Sequence, residues 1–148
     1  MRKILDKRGK HMSFEKMQDL KEIHERSCMM VYHFSPKEMQ AIQSVARLTG
    51  IKDIIILEAN QVETTIEDIL ENKITIGNDT NVNEKAIVFN NIPSGKVNVF
   101  IEGLKKMRMA RPLIAVVTEH SIHWSFKELI MNLSQERAAL RNNGQTAH

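Results

Sequence analysis

The chain is predicted to be a single α/β domain: a four-stranded, mainly parallel sheet in the order 2-1-3-4 with helices on both faces. Three observations carry this. Apolar runs of strand length alternate with segments of helical periodicity. Those strands are apolar throughout, as in a sheet covered on both sides. The pattern falls into two βαβα halves, 28–73 and 85–141, joined by the polar loop ITIGNDTNVNE at 74–84. At 148 residues the chain is long enough to bury one core without staples.

Residues 1–12, MRKILDKRGKHM, form a basic extension predicted to be flexible, and the single domain is placed at 13–142. In SFEKMQDLKEIHER (13–26), Phe14, Met17, Leu20 and Ile23 recur every third position. That spacing makes one face of an amphipathic N-terminal helix, which would pack in cis, on a second copy or on a protein partner. CMMVYHF (28–34) is the first strand. SPKEMQAIQSVARLTG (35–50) is a helix: Ser35 as N-cap, Pro36 in the first turn, Glu38 closing a capping box and Gly50 as C-cap. IKDIIILEA (51–59) is the second strand and TTIEDILEN (64–72) a short helix. KAIVFNN (85–91), SGKVNVFIEGLKKMRM (94–109) and LIAVVTE (113–119) repeat the alternation. SFKELIMNLSQERAALR (125–141) is the last helix, and 143–148 should fray.

The halves resemble each other. At an offset of 60, Ile54–Leu57 lies over Ile114–Val117, and Thr65–Leu70 over Ser125–Ile130. At an offset of 57, Val31 lies over Val88 and Pro36 over Pro93. Internal duplication would produce this, and so would unrelated βα units built by the same rules. Halves related by an axis along the strands would place strands 1 and 3 at the centre, with a switch point between them, and ligands collect outside the carboxyl ends there. The strand ends supply His33, Glu58, Asn90, Asn91, Thr118, Glu119 and His120. His33 and Asn90 would be neighbours across the switch point. The candidate ligand site is therefore His33, Asn90, Asn91, Thr118, Glu119 and His120. Polar residues end strands in any α/β protein, so a purely structural role stays open for each.

Net charge is +3, unevenly spread. Residues 1–27 carry 8 Lys/Arg against 5 Asp/Glu, 28–84 carry 4 against 9, and 85–148 carry 9 against 4. Two oppositely charged halves packing together explain this without a nucleic-acid partner, and nucleic acid is not expected. No apolar run reaches the roughly 18 residues of a membrane span, and the basic N-terminus lacks an apolar signal core. Cys28, the only cysteine, excludes an internal disulfide and a cysteine-based zinc cluster and fits a reducing cytoplasm. Before an apolar run it reads as a buried, inert thiol.

TEHSIHW (118–124) concentrates histidines beside a strand end. His120 and His123 form H-x-x-H, and with Glu119 or His33 they would make a divalent metal set. Ser125 and Glu128, however, make a capping box that puts both histidines before the helix, where the spacing promises no geometry. Trp124 then packs at the helix start against Leu129. NIPSGK (91–96) opens a helix after a strand, but the P-loop pattern is unmet: the first glycine is missing and Val97 replaces the hydroxyl residue. KKMRMAR (105–111) places cations at a helix end, where they complement the dipole. Aromatics are 5% of the chain, which leaves little for base stacking. No G-x-S-x-G elbow is present.

From Ala86 to Glu136 the sequence resembles a small bacterial family defined only as domain of unknown function 3783. AIVFNN, FIEGL, LIAVVTEHSIHW and FKELIMNLSQE carry the resemblance, with Thr118, Glu119, Trp124, Leu129, Leu133 and Glu136 on the motif. The family usually has Asn where His120 stands. The resemblance implies a bacterial cytoplasmic protein and brings no activity, cofactor or catalytic residue. The sequence thus points to a non-catalytic regulatory or protein-interaction module, able to dimerise or to bind a protein partner through residues 13–26, with no cofactor predicted. The alternative is a small-ligand- or metal-binding domain, catalytic or not, with its site at the carboxyl edge of the sheet.

Overall fold

A computed structural model describes residues 23–146. The elements run β1 (Cys28–Tyr32), α1 (Pro36–Thr49), β2 (Ile54–Leu57), α2 (Ile66–Leu70), β3 (Ala86–Asn90), α3 (Ser94–Lys106), β4 (Leu113–Val116), a 3-10 turn (Ser121–His123) and α4 (Phe126–Thr146). The sheet order is β2-β1-β3-β4, as predicted. Local chemistry explains α1. Ser35 accepts from the Glu38 amide at 3.1 Å, Glu38 accepts from the Ser35 amide at 2.9 Å, and Pro36 opens the helix. Gly50 closes it at φ 81°, a left-handed turn that costs glycine nothing.

The junctions β1–β2 and β3–β4 are parallel, but the central β1–β3 pair is antiparallel, with Cys28 opposite Asn90 and Tyr32 opposite Ala86. The expected axis along the strands is thereby corrected: the halves are related by an approximate two-fold perpendicular to the sheet. Such an axis keeps α1 and α3 on one face and α2 and α4 on the other, and the core divides in just that way. Ile42, Val45, Val97, Phe100 and Leu104 pack on Met29, Val31, Ile87 and Phe89. Ile66, Ile69, Phe126 and Ile130 pack on Met30, Tyr32 and Val88 on the other face. An axis along the strands, with both crossovers right-handed, would have put α1 and α3 on opposite faces.

Residues on the axis meet their own mates. Met30 pairs with Val88, 58 positions on. Thr65 bridges Ser125, 60 positions on, with the Ile66 amide on the Trp124 carbonyl at 2.9 Å and the Phe126 amide on the Thr64 carbonyl at 3.0 Å. On the other face Gly103 of α3 crosses Val45 of α1 so closely that an added Cβ would stand 2.6 Å from Val45 Cγ1. The offset between β1 and β3 is therefore 58, not the 57 expected from the sequence; His33 corresponds to Asn91 rather than Asn90. Both take positive φ, 74° and 55°.

The strands are shorter than the apolar runs that predict them, and the boundaries at both ends of the described region differ from expectation. Residues 23–25 form a bend, so the amphipathic helix predicted at 13–26 does not reach them; its first part, like residues 1–12, lies outside the described residues. The last helix continues past Arg141 to Thr146. No helix among the described residues is long and apolar enough to cross a membrane.

Candidate functional site

Because β1 and β3 run in opposite directions, the carboxyl ends of the strands lie at two opposite edges of the sheet. His33 and Glu58 stand at the edge where β1 and β2 end. Asn90, Asn91, Thr118, Glu119 and His120 stand where β3 and β4 end. The predicted set is not one cluster, and His33 and Asn90 are not neighbours: Asn90 sits beside the start of β1, opposite Cys28.

At the β3/β4 edge the side chains hold the chain together. Asn90, 1% exposed, donates from Nδ2 to the carbonyls of Arg26 at 2.7 Å and His24 at 3.1 Å. Asn91 donates to the Glu25 carbonyl at 2.9 Å. This clamps the segment leading into β1. Arg26 fastens it further: Nε and Nη2 donate to Asp53 at 2.7 and 3.1 Å. Nη1 donates to the Leu70 carbonyl and to Asn72 Oδ1, each at 3.0 Å, at the carboxyl end of α2. The Asp53 hydrogen bond raises the guanidinium pKa further, so Arg26 is a permanent cation on a helix terminus that favours one. Cys28 begins the strand behind it, fully buried; burial first, then Asp53, push its thiol up to about 12, against the pull of Arg26. It has no thiolate character near neutrality.

Thr118 and Ser121 form a reciprocal cap. The Thr118 amide donates to Ser121 Oγ at 2.9 Å and the Ser121 amide to Thr118 Oγ1 at 3.0 Å, which winds the 3-10 turn. Glu119 and His120 project from that turn, exposed. His123 turns away from them to Glu67 of α2, Nδ1 to Oε1 3.6 Å. Trp124 is half-buried against the cluster that includes Leu129, and Ser125 Oγ accepts from the Glu128 amide at 3.0 Å, the N-cap half of the expected capping box. The metal set His33, Glu119, His120 and His123 is thus dispersed. Among the described residues no group of three or more His, Cys, Asp or Glu is placed to hold a metal ion.

The β1/β2 edge is arranged differently. Tyr32 takes the place of Asn90, and its hydroxyl donates to the Val82 carbonyl at 2.7 Å, so it clamps the segment leading into β3. Val82 is the two-fold mate of His24, and the clamp is the same device built from another residue. His33 lies exposed beyond it, stacked on the Tyr32 ring at 5.4 Å between centroids. A cleft of about 520 Å³ opens here, lined by His33, Ser35, Ile56 and Glu58 and by Glu38 bound to Lys85 at 2.6 Å. Lys85 and Ser35 both hold the Glu38 carboxyl below the ordinary glutamate range, Lys85 the more strongly.

The half-to-half ion pairs among the described residues have one polarity. Glu38–Lys85, Glu67–His123 and Glu63–Lys127 (3.9 Å) each set a first-half carboxylate against a second-half base. The last two are two-fold mates. This is where the uneven charge of the chain is used, although exposed pairs of this kind contribute at most about 1 kcal/mol each.

Sequence reasoning missed Arg26, Asp53, Lys85 and Ser121. The T-x-x-S spacing at 118–121 was a readable capping signal. Arg26 offered none, because its partners lie from 27 to 46 positions away.

Residues 85–140 match the model of a family described as a Domain of unknown function (DUF3783), a span from the residue before β3 well into α4. Neither the curated proteins nor the solved structures contain a match to this chain. The resemblance to that family therefore stands on one of the two halves.

Proposed function

We propose that the protein is a non-catalytic regulatory or protein-interaction module of the bacterial cytoplasm. One observation carries the reading: of the polar residues at the strand ends, where an α/β domain would carry chemistry, Asn90, Asn91 and Thr118 are committed to holding segments of the fold, while Glu119 and His120 stand exposed without forming a cluster. Asn90 and Asn91 clamp the lead into β1, Thr118 and Ser121 wind a turn, and His123 pairs with Glu67. The surface offers apolar area to partners on both open edge strands, where the two-fold mates Ile56 and Val116 are each 50% exposed. The compartment rests on the lone, buried Cys28. Repetition of caps, clamps and left-handed turns at offsets of 58 and 60 supports an origin by internal duplication. A second copy joining through an edge strand or through residues 13–26 would make a dimer.

The cleft beside His33 and Glu58 favours a second reading, a small-ligand site at the β1/β2 edge alone. Thermal shift against a panel of metabolites and divalent metals separates the two. The module reading predicts that wild type, His33→Ala and Glu119→Ala melt alike and that no compound stabilises wild type selectively. A shift lost in His33→Ala with unchanged apo melting would establish the ligand site instead.

A further inference from the structure

We infer that the groove between the first turns of α1 and the turn after α3 docks an acidic, amphipathic segment of a partner protein. The inference rests on the interaction-module reading and supplies the partner's chemistry. The groove encloses about 540 Å³ and is lined by Lys37, Ala41, Ser44, Met107, Arg108 and Met109 among others. Its carboxylate, Glu38, is already engaged by Lys85. Lys37 and Arg108 are exposed and take part in none of the ion pairs among the described residues. Exposed Lys106, at the end of α3, and Arg111, on the segment leading into β4, stand two residues before and three after Arg108, likewise outside those pairs. A surface with several uncompensated cations attracts and orients an anionic partner.

The floor between those charges is apolar and adaptable. Met107 is 50% exposed and Met109 half-buried, and flexible thioethers suit partner surfaces of varied shape. Among the described residues no aromatic lines the groove, so they offer a nucleic-acid strand no stacking platform. That favours a polypeptide with carboxylates beside aliphatic anchors.

Arg108 supplies a second argument. It sits in the left-handed region at φ 60°, just past α3, and its two-fold mate just past α1 is Gly50 at φ 81°. Glycine is the cheaper residue at such a helix end. Arginine there is disfavoured by the backbone and unrewarded by any ion pair among the described residues, which leaves its side chain for a partner.

Fluorescence anisotropy on the full chain tests this. The probe is a labelled peptide of Glu with Leu at helical spacing; a Lys-for-Glu peptide and a single-stranded DNA oligonucleotide serve as comparisons. Wild type should bind the acidic peptide in a salt-sensitive manner. Arg108→Gly should weaken binding about tenfold with an unchanged or higher Tm, and Lys37→Glu should weaken it further. Lys73→Glu, on the loop after α2, should leave it within about twofold. Equal affinity of wild type and Arg108→Gly, absence of binding, or tighter binding of the oligonucleotide overturns the inference. The module reading falls separately, on a metabolite shift lost in His33→Ala.

Discussion

The two edges of the sheet are built on one plan and finished differently. At each, the last residue of a central strand reaches a main-chain carbonyl of the segment leading into the other central strand: Asn90 to His24, and Tyr32 to Val82. At each, the next residue turns left-handed, Asn91 or His33. At the β3/β4 edge Asn91 adds a bond to Glu25 and Arg26 seals the neighbouring surface. At the β1/β2 edge His33 is exposed beside an open cleft. A polar residue at a strand end is thus not by itself a sign of chemistry; its meaning depends on which segment lies across from it.

The largest expected effect sharpens this contrast. Asn90→Ala leaves two carbonyls without their buried donor and should cost about 2 kcal/mol. His33→Ala, at the matching edge, should change stability by less than about 0.5 kcal/mol. Urea denaturation measures both, and equal losses would break the comparison. Next comes the helix crossing on the axis. Gly103→Ala forces a methyl against the stiff, buried Val45 and should cost about 1–2 kcal/mol. Gly95→Ala in the same helix meets nothing within 4 Å and should be neutral or stabilising by up to about 1 kcal/mol. The smallest effect concerns the charged seam. The folded-state pKa of Glu38 lies below its ordinary value, so its contribution is full above about 4.5 and is lost as pH falls through the lower folded value. Glu38→Gln keeps the cap but loses the charge. The advantage of wild type over this variant should be under about 1 kcal/mol near neutrality and vanish in acid. An advantage that grows in acid would contradict the assignment.

Much of the fold was legible because it is encoded locally. Ser35, Pro36, Glu38 and Gly50 mark α1 within the helix itself, and the apolar strands announce a covered sheet. The strand order followed from the two-half pattern. The direction of the central pair did not, because β1 and β3 are both buried along their whole length and apolar apart from the terminal Asn90, so no in–out alternation distinguishes parallel from antiparallel pairing. The candidate site inherited that ambiguity. Residues correctly placed at strand ends were assigned to one edge when they belong to two. The Asn90 clamp was illegible for a similar reason, since its partners are carbonyls more than 60 positions away and carbonyls carry no sequence signature.

The opposed run of the two halves is the claim on which the rest depends, and cross-strand nuclear Overhauser effects test it most directly. In a uniformly labelled full-length sample, backbone contacts should link Cys28 with Asn90, Met30 with Val88 and Tyr32 with Ala86. Contacts linking Cys28 with Ala86 and Tyr32 with Asn90 would mean a parallel centre. They would bring His33 and Asn90 to one edge and contradict the two-fold account.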